Sequence, residues 1–130
     1  MNIQRAIRFL CPGVSYSFNG YEDYAHLIWP YNPSMPKPTL SDLQTADLPA
    51  AKAARISKAK GEASQRIYTS YPAYAQSNAS LGLYNSLPNT DSFYPANIVA
   101  GIQAIITAEH TAETAINALT TSQAVDAFTW

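Results

Sequence analysis

Residues 39–74 read TLSDLQTADLPAAKAARISKAKGEASQRIYTSYPAY, and the way this stretch folds decides the rest of the chain. Thr39 or Ser41 can cap a short helical turn that opens at Ser41-Asp42-Leu43. Pro49 has no amide hydrogen, so its favoured place is the first turn of a helix. The sequence therefore predicts a separate, longer helix starting there, with Asp47 or Leu48 before it. From Ala50 to about Tyr68 the residues are mainly alanine, lysine, arginine and glutamine, which are good helix formers. Ile56, Ala59, Ala63 and Ile67 fall on one stripe. That stripe is narrow, which fits a helix lying along one partner better than one buried in a globule. Gly61 weakens it by about 1 kcal/mol relative to alanine. Tyr68, Tyr71 and Tyr74 gather where Pro72 must end or kink the helix.

Upstream, Ile3, Ala6, Ile7 and Leu10 repeat at helical spacing with Phe9 beside them and Arg5 and Arg8 opposite, and Pro12-Gly13 stops the pattern. Val14, Tyr16 and Phe18 alternate with Ser15 and Ser17, the period of a half-buried strand. Asn19-Gly20 is a hairpin signal, and His26 to Trp29 reads as the return strand. Pro30, Pro33, Pro36 and Pro38 forbid further pairing, so this segment is expected to run as an extended strap.

Downstream, Ala75 to Tyr84 is expected to be helical and residues 85–97 a loop. Ile98, Ile102, Ile105, Ala112, Ile116 and Leu119 form the stripe of a helix over Ala96 to about Leu119. Thr120-Thr121-Ser122 interrupts it and caps a final short helix over Gln123 to Phe128.

Composition narrows the function. The chain is 47% hydrophobic but only 13% charged, about half the usual charged share. A surface so poor in charge suits a protein packed against others, or one rich in uncharged polar groups. Net charge is −1, so nothing calls for nucleic acid. Lys52, Arg55, Lys58, Lys60 and Arg66 make a basic middle, and Asp91, Glu109, Glu113 and Asp126 an acidic end. The basic run reads first as a solvated helix face, with pairing inside the molecule, between subunits or with a partner as alternatives. No apolar run is long enough to cross a bilayer, and Gln4, Arg5 and Arg8 interrupt any secretory leader. Cys11 is the single cysteine, so no internal disulfide forms, and a buried structural thiol made in a reducing compartment is expected.

Catalytic patterns are not expected: there is no HExxH, CxxC, P-loop or GxGxxG. Glu22-Asp23 reads as a solvated loop pair. His110 and Glu113 lie three apart on one helix, but two ligands do not make a metal site. No cofactor or metal is expected. The nine tyrosines suit interfaces, where a ring buries area and its hydroxyl stays wet, and several serve core packing equally well.

The order of these features resembles a family. Cys11-Pro12-Gly13, Leu27-Ile28-Trp29, and Lys37-Pro38-Thr39 leading into Leu40 to Ala46 and an Ala/Lys/Arg helix are similar to the small XkdW-like and tail-fibre-associated proteins of tailed phages. Arg66 to Asn78 resembles their IxxxYPxWKQxN pattern through Tyr71-Pro72, Gln76 and Asn78, with Tyr74 in place of tryptophan and Ala75 in place of lysine. Ile116 to Trp130 is similar to their C-terminal segments. The resemblance covers most of the chain through short, tolerant motifs. It implies a virion tail protein made in the host cytoplasm and carries no catalytic residues.

Together these readings predict an α+β chain. Residues 1–38 form a helix and β-hairpin head with a proline-rich strap, and 39–130 a helical arm or helical hairpin packing on a partner. The expected role is a connector or hinge in a phage tail fibre or baseplate, present as a homo-oligomer or in several copies, bound neither to nucleic acid nor to membrane. The alternative is a transient tail-fibre assembly chaperone. A third class, an enzyme acting on envelope sugars, has no motif behind it. The expected partner contacts are Ile56, Ile67, Tyr68, Tyr71, Tyr74, Ile102, Ile105, Ile116 and Trp130.

Overall fold

The computed structural model describes residues 1–32 and 34–130. Helix α1 spans Ile3–Leu10, strand β1 Ser17–Phe18, a 3-10 turn Tyr24–His26, and strand β2 Leu27–Ile28. Helices α2 (Leu40–Ser70), α3 (Ala73–Ser80), α4 (Pro95–Ala118) and α5 (Ser122–Asp126) follow. At 61% helix and 3% strand the chain is largely α, which corrects the α+β expectation. The chain divides into two compact units, Met1–Arg55 with Leu119–Thr129, and Ile56–Ala118 with Trp130.

In the first unit, α1 starts at Asn2, whose side chain accepts a hydrogen bond from the Arg5 amide at 3.0 Å. The helix ends where Gly13 takes a positive φ of 81°, a conformation glycine adopts without a Cβ clash. Its buried face is Ile3, Ala6 and Ile7. Leu10, expected on that face, is exposed, as is Phe9. Cys11 is buried, and burial pushes its thiol up from the ordinary value.

The hairpin is much shorter than its alternating pattern suggested. Only Ser17–Ile28 and Phe18–Leu27 pair, antiparallel. Asp23 is the reason: its carboxylate accepts from the His26 amide at 3.0 Å and caps the 3-10 turn, which takes Tyr24 to His26 out of the ladder. Side chains replace the missing ladder bonds. Tyr16 stacks on Trp29 with ring centroids 6.3 Å apart, and meets Phe18 edge-on at 5.8 Å. Tyr16, Phe18, Tyr24 and Trp29 pack around Ile3, Ile7, Leu27 and Leu43.

The hairpin also fixes the strap that follows it. Trp29 Nε1 donates to the Met35 carbonyl at 3.0 Å, Tyr24 Oη to the Pro38 carbonyl at 3.0 Å, and Lys37 Nζ to the Leu27 carbonyl at 3.1 Å. Lys37 Nζ also sits 4.6 Å from the Tyr24 ring centre, a cation–π contact. Pro33 lies outside the described residues.

Helix α2 corrects a second expectation. Thr39 and Asp42 form a reciprocal cap: the Asp42 amide donates to Thr39 Oγ1 at 3.1 Å, and the Thr39 amide to Asp42 Oδ2 at 2.9 Å. This is the box that opens strong helices. The helix then runs through Pro49 instead of restarting there. A proline inside a helix costs about 3 kcal/mol. Leu43 and Ala46 before it and Ala50 and Ala51 after it are all buried, and that packing holds both sides of Pro49 on one axis.

Asp47 ties the first unit together. Its Oδ1 accepts from the Asn2 amide at 2.9 Å and its Oδ2 from the Ser122 hydroxyl at 2.6 Å, and Arg5 Nη2 lies 3.6 Å away. Arg5 Nη1 also meets Asp126 Oδ1 at 2.5 Å. One carboxylate thus joins α1, α2 and α5. Burial alone would raise its pKa. The bonds from Ser122 and Asn2, with the N-terminal ammonium and Arg5 nearby, outweigh burial and hold it below the usual carboxylate range. Arg55, expected on a solvated face, is buried: its Nε donates to the Phe128 carbonyl at 2.9 Å.

Asp47→Ala is expected to destabilise the protein by on the order of 2–3 kcal/mol near pH 7, since charge-assisted bonds are lost and their donors stranded. A depressed folded pKa stabilises above the unfolded value and ceases to do so as pH falls through the folded one. Urea titrations should therefore show the gap between wild type and variant closing in acid, below about pH 4.

Candidate interaction surface

The second unit is built from the C-terminal half of α2, then α3 and α4. Helix α2 ends with the Tyr71 amide bonded to the Ile67 carbonyl at 2.7 Å. Pro72 follows in an extended conformation that a proline φ suits, and serves as N-cap of α3. Its carbonyl accepts from the Ala75 and Gln76 amides, and Gln76 Nε2 reaches back to the Tyr71 carbonyl at 2.7 Å. The helix break is therefore a fixed corner.

The loop after α3 is also fixed. Gly82 adopts a φ of 78°, and Tyr84 stacks on Phe93 at 5.8 Å while Tyr74 meets Phe93 edge-on at 6.4 Å. Asn78 Nδ2 donates to Tyr84 Oη at 3.1 Å. Asn97 in the first turn of α4 donates to the Asn89 and Asp91 carbonyls at 2.7 and 2.8 Å.

Gly101 allows the closest approach in this unit. The Tyr71 ring, hydroxyl first, occupies the space that a Cβ on Gly101 would fill. A glycine in a helix interior gives up about 1 kcal/mol of helix propensity; here the room for Tyr71 is what it provides.

Beside this contact lies a groove of about 380 Å³, lined by Lys60, Ile67 and Tyr68 of α2 and by Ile102, Ile106 and Glu109 of α4, with Gln76 of α3 at its edge. Tyr68 is 58% exposed and Ile106 40%. Glu109 is different, at 6% exposed. Its Oε1 and that of Glu113, one turn on, are buried without a hydrogen-bond donor. Lys60 Nζ lies 3.0 Å from Glu113 Oε1 as an ion pair. His110 Nε2 is 3.6 Å from Glu109 Oε2.

Burial raises the Glu109 pKa, and hydrogen bonding to Glu113 and its charge add to this, against weaker pulls from His110 and Lys60. Glu113 moves the other way, lowered first by the bond with Glu109 and then by Lys60. Two neighbouring carboxyls disfavour ionising together, and here burial makes Glu109 the harder of the two to ionise.

The expected contact residues are distributed unevenly. Ile67, Tyr68 and Ile102 meet in the groove. Tyr74 is exposed near Phe93, and Tyr71 is half-buried against Gly101. Ile56 and Ile105 are half-buried. Ile116 is fully buried and is taken up by the interior. Trp130 is held in place, its Nε1 donating to Glu62 Oε2 at 2.6 Å and the Arg66 guanidinium lying 3.9 Å from its ring centre.

Sequence reasoning missed Lys60, Gln76, Ile106 and Glu109 as groove residues and Gly101 as the seat of Tyr71. A glycine interrupting an apolar helical stripe was the available signal for the last. Among the described residues no group of three His, Cys, Asp or Glu side chains is placed to hold a metal ion, and no helix is long and apolar enough to cross a membrane. Comparison with protein-family models, curated proteins and solved structures gave no match.

Gly101→Ala is expected to destabilise the protein by on the order of 1–3 kcal/mol, because Tyr71 must leave its place. In a chemical-denaturation cycle with Tyr71→Ala, the two losses should be less than additive, by about 0.5 kcal/mol or more. Strict additivity would mean that the two residues do not depend on each other.

Proposed function

We propose that this chain is a non-catalytic binding protein of a phage tail, a connector that packs against a fibre or baseplate protein through the groove of its second unit. The observation that carries this reading is the exposure of Tyr68 of α2 and Ile106 of α4 in one groove that Ile67 and Ile102 also line. Apolar side chains gathered around a concavity on fixed helices are what a protein partner buries. Tyrosine is a favoured anchor because its ring loses little conformational freedom on binding.

The phage assignment rests on the resemblance of Lys37-Pro38-Thr39, Tyr71-Pro72, Gln76 and Asn78 to tail proteins. Those residues have structural work in this chain. Lys37 and Pro38 tie the strap to the hairpin, and Tyr71, Pro72 and Gln76 form the corner between α2 and α3. That supports reading the pattern as a fold determinant that positions the groove.

The tagged chain, captured from cells producing the virus, is expected to bring down an identified fibre or baseplate protein. Tyr68→Ala combined with Ile106→Ala should reduce that recovery by about tenfold or more, the loss of 1.4 kcal/mol or greater typical of anchor residues, with the thermal midpoint unchanged. Recovery of no tail protein by wild type, or equal recovery by the double variant, would contradict the proposal.

A further inference from the structure

We infer that the groove receives an arginine side chain of the protein partner, with Glu109 as its counter-ion. This rests on the reading of the groove as a binding surface and names the chemistry it selects. The walls are apolar where an arginine stem would run, along Ile67, Ile102 and Ile106. Tyr68 presents an exposed ring, and a planar guanidinium stacks on such a ring. The same unit already makes this contact once, with Arg66 over Trp130. At about 380 Å³ the groove lies at the low end of ligand pockets, roughly 300–1,000 Å³.

The decisive feature is the buried carboxyl in the lining. Glu109 lines the groove, and its Oε1 has no donor among the side chains and amides around it. The charged groups facing it are Glu113 and His110 on its own helix and Lys60 from α2; α3 contributes the uncharged Gln76. Two carboxyls face one ammonium there, which favours a cationic ligand over an acidic one. Burial and Glu113 both make the ionised form of Glu109 harder to hold. A guanidinium beside it would offset both effects and form a neutral ion pair with the ionised carboxylate.

An acidic partner would meet Glu109 and Glu113 head-on. An apolar one would leave the Glu109 carboxyl buried with no further partner. Lysine could supply the charge, but it lacks the flat face that matches Tyr68 and the forked donors that match a carboxylate.

The test uses the full chain, with N-acetyl-arginine amide as probe and N-acetyl-citrulline amide as its neutral isostere, followed by ¹H–¹⁵N NMR. The arginine probe is expected to give saturable shifts centred on Tyr68, Ile102, Ile106 and Glu109. Citrulline should bind at least about tenfold more weakly, since charge-assisted bonds are roughly twice as strong as neutral ones. Binding should weaken as the solution is acidified, because Glu109 must be ionised to pair with the guanidinium.

Glu109→Gln should abolish the arginine preference, and the comparison of the two probes on wild type stands whether or not that variant folds. Equal affinity for both probes, shifts centred elsewhere, no saturable shift, or an arginine preference retained in folded Glu109→Gln would overturn the inference. Because the probes report on the free chain, such a failure is distinct from a failure to bind tail proteins.

Discussion

After Leu43 the buried apolar residues of α2 are all alanine, and both units are organised around that constraint. Ala46, Ala50 and Ala51 lie buried in the first unit, and Ala59 and Ala63 in the second. Alanine lets other chain segments come close, but each one removes little apolar surface from water, and burial contributes only about 25 cal/mol per Å². The helix therefore depends on polar ties set along its length. Asp47 holds Asn2 and Ser122, and Arg55 holds the Phe128 carbonyl. Lys60 pairs with Glu113, while Glu62 and Arg66 bracket Trp130. Each tie joins α2 to residues far away in sequence within the same unit. The basic middle and the acidic end meet through Lys60 and Glu113, and the chain end folds back onto Glu62 and Arg66.

This explains which parts of the fold were legible in the sequence. Helices α1 and α4 follow from apolar residues at helical spacing, and the breaks at Pro12-Gly13 and Pro72 from local backbone chemistry. Pro49 was misread because the local rule is real but weaker here than the packing of Leu43, Ala46, Ala50 and Ala51. The hairpin pattern identified the correct residues for burial, Tyr16 and Phe18, but not the extent of pairing. Aromatic stacking and the Asp23 cap settled that, and neither shows up as periodicity. The partners of Arg55, Lys60 and Arg66 could not be read at all, since a charge on a helix looks solvated until the distant acceptor is known.

The candidate site divides the same way. Ile67, Tyr68 and Ile102 were visible as apolar residues on helices with narrow stripes. Glu109 was visible only as one residue of the acidic end. The structure places it in the lining of a largely apolar groove, with Glu113 one turn away and Lys60 of α2 close by, and we take it as the polar group of that groove. Gln76, whose side chain closes the corner between α2 and α3, also lines that groove, so the corner and the groove share a residue.

The account treats this chain as a standing part of a tail. Quantitative mass spectrometry of purified virus particles tests that most directly, by measuring this chain against the major tail proteins. The account predicts a constant ratio, unchanged between preparations and after stringent washing. Absence from particles, with the chain abundant in the producing cells, would contradict a connector and leave a protein that acts only during assembly.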